Sequence, residues 1–258
     1  MVDFNNVRRL TTESGKIITS ITDDNDNVLW SEKLIPFITI NGTELSPATQ
    51  YGAPYIRFRS DSFIDWGDGT FDLYNNNTAA LVHDFSEQGT YNVRIWKNTV
   101  SAIGFSCFRE CEELISVNIP DGVTRLEGHC FRLCKNLNNV TIPDTVTSIE
   151  SSSFSDCINL TSIILPPNLT SIGTSCFAAC SGLTNITIPK TVTTIASYAF
   201  LSCNNLSTIT FERTTPPSFG SNTFMYVTAT AYVPPGTKNA YTTALNNTHG
   251  NFTVIEME

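Results

Sequence analysis

Eight cysteines give this chain its most obvious capacity for chemistry, and all of them lie between positions 107 and 203. Structural zinc sites commonly use C-x₂₋₄-C pairs. Two pairs have a similar spacing, namely Cys107 with Cys111 and Cys130 with Cys134. At equivalent positions further along, however, Ser153 and Ala199 replace the first cysteine of the pair. A position that accepts cysteine, serine or alanine requires a small side chain, so we predict buried structural thiols and no metal or other cofactor. A disulfide between neighbouring thiols stays open as an alternative.

The remaining titratable residues predict no catalytic constellation. Only three histidines occur, His83, His129 and His249. The chain contains no G-x-S-x-G elbow, no P-loop and no dinucleotide-binding glycine motif. Asp65 and Asp68 are better explained by hydrogen bonding within a turn than as a catalytic pair. We therefore predict that the protein is not an enzyme, and we assign no catalytic residue.

Composition excludes two further classes of function. The formal net charge is −9, with only 15 Lys and Arg among 258 residues. Nucleic-acid binding needs basic side chains for phosphate contacts, so it is not expected. No apolar run reaches the length of about 18 residues that a membrane span requires. The basic pair Arg8-Arg9 is not followed by the apolar stretch of a secretory signal, so we expect no export by the general pathway.

A repeat of 23 residues organises the middle of the chain. Three columns of residue types keep this spacing over five copies. They are Phe108, Phe131, Phe154, Phe177 and Phe200; Cys111, Cys134, Cys157, Cys180 and Cys203; and Leu114, Leu137, Leu160, Leu183 and Leu206. One unit of this size cannot bury its own apolar edge, whereas stacked units share a continuous core. The repeat therefore predicts a solenoid.

Each unit predicts three successive pieces of structure. In the central copy, residues 160–165 have the L-x-x-L-x-L pattern of a leucine-rich-repeat strand. Pro166 then ends the ladder because it has no N–H to donate. Residues 169–172 predict a second, short extended piece, and residues 173–180 predict a turn with a short helical segment.

The phrase Ile172-Gly173-x-x-x-Phe177-x-x-Cys180-x-x-Leu183-x-x-Ile186-x-Ile188-Pro189 resembles the BspA-like leucine-rich repeat. That family includes bacterial cell-surface adhesins, protist surface proteins and some phage proteins. A degenerate copy at 219–224 is displaced by one residue. The segment 230–241 is similar to the one that closes many such arrays, and this implies a C-terminal cap.

A second resemblance precedes the repeats. The segments Asp65-Trp66-Gly67-Asp68-Gly69-Thr70 and His83-Asp84-Phe85 through Tyr91-Asn92-Val93 are similar to the polycystic-kidney-disease-type immunoglobulin-like (PKD-type) domain. Ile64, Trp66 and Phe85 replace residues of comparable bulk in the family pattern. The alternation of Tyr91, Val93 and Ile95 is typical of a strand. The resemblance implies a β-sandwich that serves as a spacer or a binding platform.

The first thirty residues predict a β-hairpin. Lys16–Ile21 and Val28–Trp30 flank the polar loop 23–27, Asp-Asp-Asn-Asp-Asn. The loop offers oxygen ligands for calcium but lacks the central glycine and closing glutamate of an EF-hand, so a solvated turn is preferred and calcium binding stays open. The Asn-Val-Leu-Trp phrase is similar to the start of some phage tail and virion proteins, and this implies attachment to a particle.

One surface of the repeats is the candidate binding site. The residues between the inward-facing strand positions carry hydroxyls and amides and no charge. The ten candidate residues, called the open face below, are Ser116, Asn118, Asn139, Thr141, Ser162, Ile164, Asn185, Thr187, Thr208 and Thr210. Solenoids use such extended faces for recognition, although a solvated surface of good β-formers would look the same.

Together these patterns predict a mostly β protein. The expected divisions are an attachment hairpin at 1–34, a PKD-like immunoglobulin-type β-sandwich at 35–100, BspA-like leucine-rich repeats at 101–213, and a degenerate repeat with the cap at 214–258. We expect a non-enzymatic phage virion protein, such as a head or tail fibre. It would contact other virion proteins through its N-terminal segment and a host cell-surface glycan or protein through the repeats. The alternative is a bacterial cell-surface adhesin whose signal peptide precedes this sequence. A homo-oligomer is compatible with either.

Overall fold

The computed structural model describes residues 102–112, 114–119 and 121–258, together with the backbone of seven strands between residues 9 and 96. Those seven strands are β1 (Arg9–Glu13), β2 (Ile17–Thr22), β3 (Val28–Trp30), β4 (Ile38–Leu45), β5 (Ser62–Asp65), β6 (Phe71–Tyr74) and β7 (His83–Trp96). The turn residues 66–70 and the loop 23–27 lie outside the described residues. Calcium binding by this loop therefore stays an open alternative.

The predicted N-terminal hairpin corresponds to strands β2 and β3. Strand β2 pairs with β3 in antiparallel fashion, with Ile21 opposite Trp30. The pairing of β1 with β2 adds a third strand that the sequence did not predict. The next four strands pair in the order β4-β7-β5-β6. All of these pairings are antiparallel. The immunoglobulin-like sandwich itself stays a prediction.

The remainder of the chain is a solenoid of about seven turns. Its elements are β8 (Ala102–Ile103), β9 (Leu114–Asn118), β10 (Arg125–Leu126), β11 (Asn139–Thr141), β12 (Ser148–Ile149), β13 (Ser171–Ile172), β14 (Asn185–Ile188), β15 (Thr194–Ile195), β16 (Thr208–Phe211), β17 (Ser218–Phe219), β18 (Thr228–Val233), α1 (Lys238–Asn246) and β19 (Asn251–Glu256). The two-residue strands form one parallel sheet in the order β17-β15-β13-β12-β10-β8. This confirms the second extended piece of each unit.

The longer strands carry the open face and form two separate groups. Strands β9 and β11 are parallel neighbours, and β4 pairs with the free edge of β9. The second group has the order β14-β16-β18-β19. The N-terminal sheet is therefore continuous with the first repeat strand, and β4 covers an edge that would otherwise present unpaired backbone groups.

The strand predicted at 160–165 is wrong in the central coil. Leu160, Ile163 and Leu165 are buried as the pattern requires, but no strand forms there. Within the described residues, the backbone of 162–165 makes no hydrogen bond to a neighbouring coil. Pro167 follows Pro166 in this coil, but the same pair, Pro234-Pro235, follows β18, which does form a strand. The proline pair therefore does not explain the missing strand.

The short helical segment predicted at 173–180 is also wrong. The segment consists of turns, and Ser175 and Ala179 have φ values of 53° and 57°. A right-handed helix cannot contain such residues. Alternate N–H groups bond within the turns, as from Ala178 to the carbonyl of Ser175, and the others bond to the next coil, as from Phe177 to the carbonyl of Ala199 at 2.8 Å. Ladder bonding thus offsets the cost of the left-handed conformation.

The core consists of columns that run through all coils. Six phenylalanines stack in sequence with ring centroids 5.1–5.5 Å apart and planes within 12° of parallel: Phe108, Phe131, Phe154, Phe177, Phe200 and Phe224. Each of these rings is at most 2% exposed. The stacking of Phe224 on Phe200 confirms the degenerate sixth copy and its shift by one residue.

The C-terminal segment packs against the last coils. Helix α1 buries Tyr241 and Leu245, which lie one turn apart on the same side of the helix. The Tyr241 hydroxyl donates to the carbonyl of Arg213 at 2.7 Å, and the Tyr241 ring lies 4.9 Å from that of Phe211. Phe252 of β19 meets Phe224 edge to face at 5.3 Å. These contacts cover the end of the phenylalanine column.

Candidate functional site

The structure brings the ten residues of the open face together in two columns that run along the solenoid axis. Strand pairing places Asn139 opposite Ser116 and Thr141 opposite Asn118. It likewise places Asn185 opposite Thr208 and Thr187 opposite Thr210. Ser162 and Ile164 occupy the same positions in the central coil. All ten side chains are exposed or half-buried, so the face is accessible along its whole length.

Both columns continue into the cap, where the sequence did not predict them. Thr230 of β18 lies opposite Thr208 and Thr253, and Tyr232 lies opposite Thr210 and Ile255. The spacing from Thr208 to Thr230 is 22 residues rather than 23, so a search at the strict period misses them. A search that allows a shift of one residue would have found them, because the alternation along β18 is intact.

Most polar groups of the open face have no hydrogen-bond partner among the residues that the structure describes. Among the described residues, the side chains of Asn139, Thr141, Thr187 and Thr210 make no hydrogen bond. The Asn185 amide is an exception, since it donates to the Thr184 hydroxyl at 3.1 Å. The face therefore presents several donors and acceptors that are bonded only to solvent.

Threonines at another position of the repeat behave differently. The Thr147 hydroxyl donates to the carbonyl of Thr124 at 3.2 Å, that of Thr170 to Thr147 at 2.9 Å, and that of Thr193 to Thr170 at 3.3 Å. These threonines, Thr147, Thr170 and Thr193, are called the internal column below because each hydroxyl bonds to a carbonyl of the preceding coil. The column stabilises coil stacking and commits the proton of each hydroxyl, whereas the exposed hydroxyl oxygens can still accept.

Ile164 is the most exposed large apolar residue that the structure describes, with 85% of its surface accessible. It lies in the middle of the open face, where neighbouring coils have Thr141 and Thr187. Among the repeat units between 114 and 211, it lies in the one whose L-x-x-L-x-L segment, residues 160–165, forms no strand. An apolar side chain thus stands at the centre of a polar face.

The cysteines lie in the core, away from the open face. All eight are buried and carry reduced thiols in the structure. Four thiols of the Cys111 column donate to a phenylalanine carbonyl 26 residues earlier: Cys134 to Phe108, Cys157 to Phe131, Cys180 to Phe154 and Cys203 to Phe177, at 2.9–3.1 Å. In the other column, buried Ser153 donates to the carbonyl of Glu150 at 2.7 Å. The prediction of small buried positions is confirmed.

Burial controls the chemistry of these thiols. Desolvation raises the pKa of Cys134, Cys157 and Cys180, and it raises the pKa of Cys203 to about 12. A thiolate is the form that attacks electrophiles and binds metals. No group of three or more His, Cys, Asp or Glu in the described part of the chain could hold a metal ion.

The structure places His129, one of the three histidines, at a half-buried position in the turns. Its ring meets that of Phe105 edge to face at 5.2 Å. Burial, and then the charges of Arg132 and Arg109, lower the pKa of His129. Within the described residues, its Nδ1 is buried without a hydrogen-bond partner. An aromatic contact and two neighbouring cations favour a neutral, structural imidazole.

Comparison with known protein families identifies the repeats. The model described as BspA type leucine rich repeat region matches six copies over residues 101–230, half of the chain. The chain therefore belongs to the BspA-type leucine-rich repeat family. Comparison with curated proteins gives no match. In the part of the chain that the structure describes, no helix has the length and apolar character needed to cross a membrane.

Three solved structures are similar to this chain. The T. pallidum leucine rich repeat protein TpLRR is 23% identical over 60% of this chain and 81% of its own, with a TM-score of 0.44. A leucine rich cell surface protein from Faecalibacterium prausnitzii is 28% identical over 56% of this chain and 32% of its own, with a TM-score of 0.38. The pneumococcal vaccine antigen PcpA is 16% identical over 63% of this chain and 46% of its own, with a TM-score of 0.40.

Proposed function

We propose that this chain is a recognition module that attaches to another surface through the open face. The observation that carries the proposal is the face itself, whose uncharged side chains lie in register on successive coils and are exposed or half-buried. The inward-facing residues of these strands belong to the same buried core as the phenylalanine column, and this core holds the face on a rigid support. A regular, accessible surface on a rigid scaffold suits adhesion to an extended partner.

The module acts without catalysis in this proposal. The raised pKa values of the buried cysteines, such as Cys157 and Cys180, oppose formation of a reactive thiolate. His129 is held apart from these thiols, on the outside of the turns. The hydroxyls of the open face have no adjacent imidazole or carboxylate in their columns that could serve as a general base.

The finer proposal places the module on a phage virion, with residues 1–34 as the attachment element to other virion proteins. Its support is the resemblance of the N-terminal hairpin to the start of some phage tail proteins. The alternative is a bacterial cell surface, because the similar F. prausnitzii protein is described as a leucine rich cell surface protein. An antibody against the repeats separates the two, because it labels either purified particles or the cell envelope of the producing strain.

The adhesion proposal is tested by placing charge on the open face. The double variant Thr141→Lys with Thr187→Lys adds two ammonium groups at positions whose side chains make no hydrogen bond within the described part of the chain. The matched control, Ser151→Lys with Thr174→Lys, adds the same charge at exposed positions away from the face. Exposed substitutions usually change stability by under about 0.5 kcal/mol. Both variants should therefore keep the melting temperature of the wild type.

Attachment is measured by flow cytometry with the labelled full chain on a panel of bacterial and epithelial cells. We expect the face variant to lose most of its binding, because an unpaired ammonium must be desolvated against an uncharged ligand. The control should bind as the wild type does. Equal binding by both variants, or no binding of the wild type to any surface, would contradict the proposal.

A further inference from the structure

The starting observation is that this solenoid contains two kinds of threonine column. In the internal column, Thr170 and Thr193 donate to the preceding coil. In the open face, the hydroxyls of Thr141, Thr187 and Thr210 have no partner among the described residues. Hydrogen bonding between coils thus explains why threonines occupy the internal column, but it does not explain the threonines of the open face. These hydroxyls can form hydrogen bonds with a ligand whose donors and acceptors repeat at the spacing of the coils.

Charge and composition limit what that ligand can be. The ten residues of the open face include no Lys, Arg, Asp or Glu, although the chain carries a net charge of −9. A sulfated or uronic-acid polymer would find no counter-charge on the face and would be repelled by the rest of the molecule. Protein interfaces are enriched in Tyr, Trp, Phe, Met and Arg and depleted in Ser. The open face lacks those enriched residue types and consists mainly of Ser, Thr and Asn. This composition favours an uncharged, polyhydroxylated ligand over a protein.

The spacing of the coils adds a geometric argument. Stacked phenylalanine rings place successive coils 5.1–5.5 Å apart in the core, and paired strands lie about 4.8 Å apart. This advance is close to the length that one pyranose ring adds to an extended β-linked glycan. A sugar chain along the columns would therefore meet an equivalent pair of polar side chains at each ring.

The central coil supplies an apolar contact. Ile164 is 85% exposed and interrupts the threonine column between Thr141 and Thr187. A pyranose ring has polar edges and an apolar face made of C–H groups. An aliphatic side chain can pack against such a face while the flanking hydroxyls bond to the ring edges. The exposed isoleucine is thus compatible with a sugar ligand and gives the polymer a preferred register.

We propose that the open face binds an uncharged, linear pyranose polymer that runs along the solenoid axis with one ring per coil. This inference rests on the proposed adhesive function and assigns its ligand class. The ring edges exchange hydrogen bonds with the two columns, and the ring over the central coil packs against Ile164. No covalent step is involved.

The test uses isothermal titration calorimetry with the full chain. The probes are the β-1,4-linked cello- and manno-oligosaccharides, whose rings carry the vicinal diols that periodate oxidises, as disaccharide, tetrasaccharide and hexasaccharide, with hyaluronan and polygalacturonate as charged polymers. We expect at least one neutral series to bind with a Kd that falls as the chain lengthens, because longer chains reach more coils. The charged polymers should not bind. Absence of binding by every neutral series, or tighter binding of a charged polymer, overturns the proposal.

Two double variants locate the site. Thr187→Val with Thr210→Val removes two open-face hydroxyls and keeps the β-branched shape. Thr170→Val with Thr193→Val makes the same change in the internal column. The loss of two hydrogen bonds should weaken hexasaccharide binding about tenfold, whereas the internal-column variant should keep the wild-type Kd. An equal effect of both variants would place the ligand elsewhere.

Surface treatment separates this inference from the proposed function. Cells that bind the labelled chain are treated either with periodate, which oxidises vicinal diols of sugars, or with protease. Loss of binding after periodate alone supports the glycan. Loss after protease alone, with full binding after periodate, overturns the glycan inference and leaves the adhesive function intact. A wild-type chain that binds no cell surface overturns the adhesive function instead.

Discussion

Alkaline pH should unfold this protein over a narrow range, because its core contains many neutral thiols. Desolvation by burial is the largest cause that raises the pKa of six of them: Cys130, Cys134, Cys157, Cys176, Cys180 and Cys203. In the unfolded chain a thiol ionises near a pKa of about 8.5. Between that pH and the raised native pKa, the unfolded state releases protons that the native state retains. Stability is therefore complete below about pH 8.5 and falls as the pH rises through this window.

The magnitude follows from the number of thiols. Each one lowers the free energy of unfolding by about 1.4 kcal/mol per pH unit above its unfolded pKa. Six together give about 8 kcal/mol per pH unit, against a total stability of about 5–15 kcal/mol for a typical domain. Tyr241, whose pKa burial raises to about 12, contributes only above its ordinary value of about 10. The window from pH 8.5 to 10 thus reports on the thiols.

The assay is urea unfolding followed by circular dichroism at several pH values from 7.5 to 10, with a reductant present to keep the thiols free. Cys157→Ala should reduce the pH dependence by about 1.4 kcal/mol per pH unit, whatever it does to stability at pH 7.5. Ser151→Ala, at an exposed position, should leave the pH dependence as in the wild type. A free energy of unfolding that changes by less than about 1 kcal/mol up to pH 10 would refute the reasoning.

Three further expectations concern packing and assembly. Leu160→Ala, at a fully buried position of the central coil, should cost about 2–5 kcal/mol in chemical denaturation; a cost near zero would contradict the solenoid core. Ala179→Gly should stabilise the chain by up to about 1 kcal/mol, since φ is 57° there, whereas Ala178→Gly should destabilise it, and equal effects would argue against the left-handed turn. Deletion of residues 1–34 should leave the repeats folded, by circular dichroism, and abolish incorporation into particles; normal incorporation would exclude this segment as the attachment element.

The sequence by itself determined the period, the columns and the family. Fixed spacing of Phe154, Cys157 and Leu160 with their counterparts requires that equivalent residues stack, because each unit buries its apolar edge only against the next. The acceptance of cysteine, serine and alanine at one position predicted a small buried site. The composition of the open face was also evident, since the alternation of inward and outward residues along a strand is set by its backbone geometry.

Short sequence patterns predicted the secondary structure of the repeats less well than they predicted burial. The L-x-x-L-x-L pattern of residues 160–165 predicted burial correctly and a strand wrongly, since a strand needs ladder partners as well as alternation. The segment 173–180 has helix-compatible residues, but alternate N–H groups in it bond to the next coil. Such bonds join residues 22 positions apart, so no short window of sequence reports them.

Only the tertiary structure decided which hydroxyls are free. Thr170 and Thr187 are the same residue type in the same array of repeats. The Thr170 hydroxyl bonds to the preceding coil, whereas that of Thr187 makes no hydrogen bond within the described residues. The structure also joined the cap to the open face through Thr230 and Tyr232 despite the change of period. Both outcomes depend on distances between coils, because hydrogen bonds form only when donor and acceptor come within about 3 Å.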